Sequence, residues 1–162
     1  MLGALLFLSK QVLEGLPNIE LISTLTMVYT LVYRKQALLP VFLFIFLEGV
    51  LAGFSLWWFP YLYLWPLLWA LTMALPKRMP IWLRVPVYAG TCALFGLAYG
   101  SLYAPYQAVV FLGGDLRKML AWIAAGFFPW DVLHALGNLG LGLLIVPLTT
   151  LLQKLEQRSG TA

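Results

Sequence analysis

Long uninterrupted runs of apolar residues recur along the whole chain, and short clusters of charge, proline and glycine separate them. Such runs approach the roughly 17–25 residues that a helix needs to cross a bilayer core, whereas barrel strands alternate over about 9–11. The pattern predicts helices over residues 2–14, 18–33, 37–56, 59–76, 82–104 and 130–153. Between the last two lie a Gly-Gly-Asp turn at 113–115 and a half-length apolar segment at 116–128, headed by Arg117 and Lys118. That segment is expected to lie at the membrane interface or to re-enter the bundle. The fold class expected is all-α, a polytopic membrane bundle of about six transmembrane helices forming one integral membrane domain over residues 1–162, without internal repeats.

Composition strengthens this reading. The chain is 62% hydrophobic and 10% charged with a mean hydropathy of +0.90, against roughly 25% charged residues in soluble domains. Its net charge of +4 does not indicate nucleic acid, because the basic residues sit in small clusters between apolar runs. Arg34 and Lys35, then Lys77, Arg78 and Arg84, then Lys154 and Arg158 fall in alternate loops, which places those loops and both termini on the cytoplasmic side. Arg117 and Lys118 are the exception. The apolar start has no leading basic region and no small-residue cleavage pattern before Lys10, Gln11 and Glu14, so Met1 is expected to begin the first helix. Cys92, the single cysteine, lies in an apolar run and reads as a small buried side chain.

Against this background a few polar residues stand out as costly. Asp131, His134 and Asn138 are spaced to share one helix face, and ionisable residues in membrane segments face a bundle interior or a wet cavity. Asp131 also suits a helix cap, His134 a backbone carbonyl and Asn138 an interhelical hydrogen bond. Glu48, deep in Phe46-Leu47-Glu48-Gly49-Val50, requires a partner, for which His134 or a tyrosine is expected. Glu20 near the start of the second helix falls at the same outer level. The aromatic stretch Trp57, Trp58, Tyr61, Tyr63, Trp65 and Trp69 is either a headgroup-level belt or the flat wall of a pocket. The substrate-binding set expected is therefore Glu20, Glu48, Trp57, Trp58, Tyr61, Tyr63, Asp131, His134 and Asn138. Gly49 and Gly53, and Gly96 and Gly100, have the spacing of close helix packing, either inside the bundle or against a membrane partner. No phosphate-binding loop, zinc-protease motif, nucleophile elbow or cysteine pair is present, so no cofactor, metal or catalytic residue is expected.

Taken together, Asn18-Ile19-Glu20-Leu21, Glu48-Gly49 followed by Trp57-Trp58 and Tyr61-Leu62-Tyr63, and Trp130-Asp131-Val132-Leu133-His134-Ala135-Leu136-Gly137-Asn138 resemble the S components of energy-coupling-factor transporters. The likeness extends over nearly the whole chain. It implies a non-enzymatic substrate-capture subunit in a prokaryotic plasma membrane, working with a transmembrane coupling subunit and two ATPases to import a vitamin or related micronutrient. Many members dock through an Ala-x-x-x-Ala pattern on the first helix; here Ala4 is followed four residues later by Leu8, and Gly3, Ala4 and Ser9 are the small residues that stand in its place. Acid-rich contacts favour a cationic or amine-bearing ring compound such as thiamine, with riboflavin and cobalamin open. Two rival readings are an intramembrane enzyme using Asp131 and His134 as acid and base, and a scaffold whose polar residues only lock helices together.

Overall fold

A computed structural model describes residues 1–160; residues 161 and 162, the end of the expected single domain, lie outside the described residues. The described chain is helical throughout, with α1 (Leu2–Leu13), α2 (Ile22–Tyr33), a 3-10 turn (Arg34–Ala37), α3 (Leu38–Ala52), α4 (Tyr61–Ala74), α5 (Ile81–Phe111), α6 (Leu116–Gly126), a wide turn (Phe127–Asp131), α7 (Val132–Gly142) and α8 (Ile145–Ser159). Three stretches, Ile22–Ala52, Ile81–Phe111 and Leu116–Gly142, are long and apolar enough to cross a membrane, and α1 and α4 are shorter apolar helices. By length and composition these stretches suit a membrane.

Two of those three stretches are bent by local chemistry. Arg34 takes φ 55° and ψ −119°, which turns the chain between α2 and α3. Pro129 bars Phe128 from the helical region, and Phe128 is accordingly extended at φ −119° and ψ 125°, so α6 and α7 meet at a kink. The expected boundaries shift for similar reasons. Asn18, at φ 59°, and the loop after it delay the second helix to Ile22. Gly53, at φ 94°, stops the third at Ala52. The fifth continues past the expected end at 104 and through Pro105 to Phe111, because buried Ala104 and Ala108 keep its inner face packed. The sixth breaks at Leu143–Leu144, just ahead of Pro147, which has no N–H to continue the ladder. It then resumes to Ser159.

The interior is built around α2. Residues from Ile22 to Thr30 are all buried, and they include Ser23, Thr24, Thr26 and Thr30. Small hydroxyl residues let neighbouring helices approach closely; Thr30 Oγ1 satisfies itself within the helix by donating to the Thr26 carbonyl at 2.7 Å, and Ser23 Oγ accepts from Asn138 across the bundle. Around it α4 and α8 pack on α2, α1 packs on α3, and α5 lies along α7. Large side chains fill the core from α2 and its neighbours, among them Tyr29, Trp65, Phe44, Leu64 and Leu68, while Leu5, Leu39, Phe42, Phe46, Leu51 and Leu94 are exposed on the periphery. Large apolar side chains on the outside and small hydroxyls at the centre suit a bundle bathed in lipid.

Both ends of the bundle are polar. At one, Lys10, Glu20, Glu48, Tyr61, Tyr99 and His134 converge. At the other, Arg34, Lys77, Arg84 and Gln153 converge, with Met1 and Leu2 beside Tyr33, Leu152 and Glu156. Both described chain ends therefore lie at the basic end. α6 folds back along the last turns of α5, where Trp122 stacks on Tyr103 at 6.0 Å, and none of its residues is buried. Glycines at φ 66° and 74°, Gly113 and Gly114, make the preceding turn. Asp115 then caps α6 by accepting from the Arg117 and Lys118 amides at 2.8 and 3.2 Å. Asp115→Ala is expected to cost the first turn of α6 about 1 kcal/mol, read as faster hydrogen exchange at those two amides with no change elsewhere.

Candidate functional site

Two adjoining cavities occupy the carboxylate end. The first, about 350 Å³, is lined by Lys10 of α1, Glu14, Asn18 and Glu20 of the segment that follows it, Glu48 of α3, Tyr61 of α4, Tyr99 of α5 and His134 of α7. The second, about 510 Å³, is lined by Tyr103 and Gln107 of α5, Trp122 of α6, Trp130 and Asp131. Asn18, Tyr99 and His134 line both and form the wall between them.

Each polar group is held by its element. Glu48 is fully buried and takes the Lys10 ammonium as its ion-pair partner through Oε2, leaving Oε1 without a hydrogen bond. The same ammonium lies 5.7 Å from the Trp57 ring and 5.5 Å from the Tyr61 ring, so a carboxylate and two aromatic faces surround a cation here. The expected partners of Glu48, His134 or a tyrosine, are thereby replaced by a lysine thirty-eight positions upstream. His134 is buried, with its ring 5.0 Å from that of Tyr99 and Nε2 3.6 Å from Glu20 Oε1, too far for a hydrogen bond. The loop carrying Glu20 is fastened by Asn18, whose side-chain amide donates to the Trp130 carbonyl at 3.3 Å. Gly137 lets it approach α7, with Ile19 lying 3.3 Å from where a Cβ would stand.

In the second cavity Asp131 Oδ1 accepts from the Gly100 amide at 3.1 Å, and Oδ2 is buried without a partner. Gly100 makes this possible, because a Cβ there would stand 2.5 Å from that oxygen. Residues that line the cavities thus carry three buried, unsatisfied polar atoms: Glu48 Oε1, His134 Nε2 and Asp131 Oδ2. Buried polar atoms are almost always paired, so orphans on the residues around a hollow of ligand size single it out as a candidate site. Four carboxylates, Glu14, Glu20, Glu48 and Asp131, face one ammonium and one imidazole across the two cavities, which makes them a cation-attracting surface.

The remaining expected site residues lie elsewhere. Asn138 is fully buried below the cavities, donating to Ser23 Oγ at 3.3 Å and to the Cys92 carbonyl at 3.0 Å. Trp58 turns its indole N–H to the Ile45 carbonyl at 2.7 Å. Tyr63 points away, its hydroxyl donating to the Leu102 carbonyl at 3.1 Å. Trp57 lines neither cavity but borders them through the Lys10 ammonium, an edge contact with the Tyr61 ring at 5.6 Å, and its carbonyl, which accepts from the Tyr103 hydroxyl at 3.4 Å. Of the expected docking glycines, Gly3 is covered by Leu43 and Pro40 of α3, and Gly49 by the Phe54 ring, so neither presents an open surface; Gly53 is the turn residue after α3. Ala4 is half-buried on α1.

Lys10, Tyr99, Tyr103, Gln107 and Trp122 are site residues that sequence reasoning missed. Phe95, Tyr99 and Tyr103 recur every fourth position along one face of α5 and carried the available signal. No group of three or more histidine, cysteine or acidic side chains arranged to hold a metal ion occurs among the described residues. Comparison of the chain with models of protein families, with curated proteins and with solved structures finds no match.

Proposed function

We propose that this protein is a substrate-capture membrane subunit of the energy-coupling-factor type, binding a flat, amine-bearing or cationic micronutrient in the two adjoining cavities. The observation that carries the reading is the convergence of Glu20, Glu48, Tyr61, Tyr99 and His134 from five segments on one hollow, with buried oxygens and nitrogen left unpaired. The aromatic walls suit a ring and the excess of carboxylates suits a positive charge. Counting α1, α2, α3, α4, α5 and the α7–α8 pair as crossings gives six, with both termini at the basic end. The rule that basic loops stay inside then directs the cavities outward, as capture from outside requires. The resemblance noted in the sequence supplies the rest of the assembly, a coupling subunit and two ATPases in a prokaryotic plasma membrane, and accounts for a chain with no nucleotide-binding motif.

An acid–base enzyme is less well supported, since Asp131 accepts from a backbone amide and His134 faces Glu20 instead. Native mass spectrometry of protein purified in mild detergent is expected to detect a small molecule bound one to one, and calorimetry against thiamine, riboflavin and cobalamin is expected to give saturable binding with no product formed. Empty protein that binds none of the panel, or turnover by the isolated chain that His134→Ala abolishes, would defeat the reading.

A further inference from the structure

The basic end of the bundle holds a hollow of its own, about 370 Å³, formed where the α2–α3 turn, the α4–α5 loop and α8 meet. Arg34, Lys77 and Arg84 line it together with Tyr88, Thr149 and Gln153, and no carboxylate does. Neither of the two ion pairs among the described residues involves any of the three cations.

Both arginines are held in place. Arg84 Nε donates to the Met79 carbonyl at 3.0 Å, and Arg34 Nη2 to the Met73 carbonyl at 3.4 Å. A guanidinium has five N–H donors, so each fork retains most of its capacity for an incoming anion. Arg34 is also maintained at a backbone conformation with φ 55° that a side-chain-bearing residue rarely adopts. The Trp69 indole donates to its carbonyl at 3.0 Å and secures that turn. A strained arginine anchored at backbone and side chain, where glycine would fit without strain, points to a task for its guanidinium. Thr149 of α8 also lines the hollow, and its Oγ1 is buried without a partner. Two fixed forks, an ammonium and a free hydroxyl converge as the donor set for a phosphate group.

We propose that this hollow binds the phosphate of an anionic phospholipid headgroup. Its position favours lipid over a soluble phosphate. Leu31, Leu75 and Val146 contribute apolar lining, while Ile81 and Trp82, close in sequence to Arg84, are 73% and 74% exposed. An exposed tryptophan next to an arginine marks headgroup level, where acyl chains can follow the apolar flank.

The test is native mass spectrometry of the full chain from micelles doped equally with phosphatidylglycerol and phosphatidylcholine. Phosphatidylglycerol is expected to be retained preferentially, and Arg34→Gln with Arg84→Gln to cut that preference by about tenfold or more. A control of equal charge, Lys35→Gln with Arg78→Gln, removes exposed cations that do not line the hollow and is expected to leave the preference intact. If the double arginine variant does not fold, Lys77→Gln with Thr149→Val is expected to reduce the preference in the same direction. Equal retention of the two lipids, or an equal loss in the control, would refute the site. Displacement by millimolar inorganic phosphate would refute the lipid source and assign a free phosphate. Retention of neither lipid alongside binding of an acidic peptide would refute it in favour of a protein partner.

Discussion

Glu48→Gln is expected to weaken binding of the co-purified compound by about thirtyfold or more, since truncating one side of a buried charged contact costs about 2–5 kcal/mol. The side chain is fully buried and lines the cavity, one oxygen engages Lys10 and the other is unpaired. Gln keeps the shape and removes the charge, and the Lys10 side chain, 27% exposed, can still reach water. Fold stability therefore changes less than affinity. The decisive comparison is Lys10→Met. The Lys10 ammonium occupies the space between Glu48 and the Trp57 and Tyr61 rings, which is where a ligand cation would sit. Removing it frees the cage, so Lys10→Met is expected to tighten binding several-fold while Glu48→Gln weakens it. Calorimetry on both variants reads the two signs directly. If both substitutions weaken binding and lower the unfolding temperature alike, the pair is a structural clasp and the cation site is lost with it.

That clasp also shows where sequence reasoning ran out. The apolar runs were legible because lipid leaves the backbone no option but internal pairing, so element type follows from hydropathy alone. The turns were legible where their chemistry is local, as at Gly113-Gly114-Asp115. The grouping of Glu20, Glu48 and His134 at one level followed from counting residues along alternating helices. Lys10 was not legible, because a lysine near a helix end reads equally well as a snorkelling side chain, and only tertiary packing brings α1 beside α3. Asn138 shows the limit of face arguments. It shares a helical face with Asp131, but seven residues at 1.5 Å each place it about 10 Å deeper, level with Ser23 and Cys92. Tyr61 and Tyr63 show the converse limit, since two positions apart on a helix face nearly opposite ways, and only Tyr61 reaches the cavity. Gly49 and Gly53 have the same spacing as Gly96 and Gly100, yet Gly49 meets the Phe54 ring and Gly53 has nothing within 4 Å of a Cβ, while Gly96 meets α7 and Gly100 meets Asp131 just before it. Spacing shows that a close approach is available, not what makes it.

The second of those pairs carries the largest expected effect on the fold. A Cβ at Gly96 would stand 2.9 Å from the His134 carbonyl oxygen and 2.7 Å from Asn138 Nδ2. The obstacle is partly the backbone of α7, so the helices must separate rather than one side chain rotate. Overpacking of this kind costs about 1–3 kcal/mol for a single added methyl group, and Gly96→Val is expected to exceed that and to disrupt the bundle. Gly96→Ala displaces α7 at His134, so lower thermal stability in detergent should come with weaker ligand binding. At Gly100 the nearest atoms are the Asp131 carboxylate oxygens, 2.5 and 2.7 Å away. A side chain can swing aside, so Gly100→Ala is expected to cost less stability while breaking the hydrogen bond that aims Asp131. Gly90 lies in the same helix with nothing within 4 Å of its missing Cβ. Gly90→Ala is therefore expected to be neutral or to gain up to about 1 kcal/mol from helix propensity. The three alanine variants should unfold in the order Gly96, Gly100, Gly90. Equal thermal shifts for all three would mean that α5 and α7 are not in contact along the wall that holds His134 and Asp131, and the cavities would lose their common support.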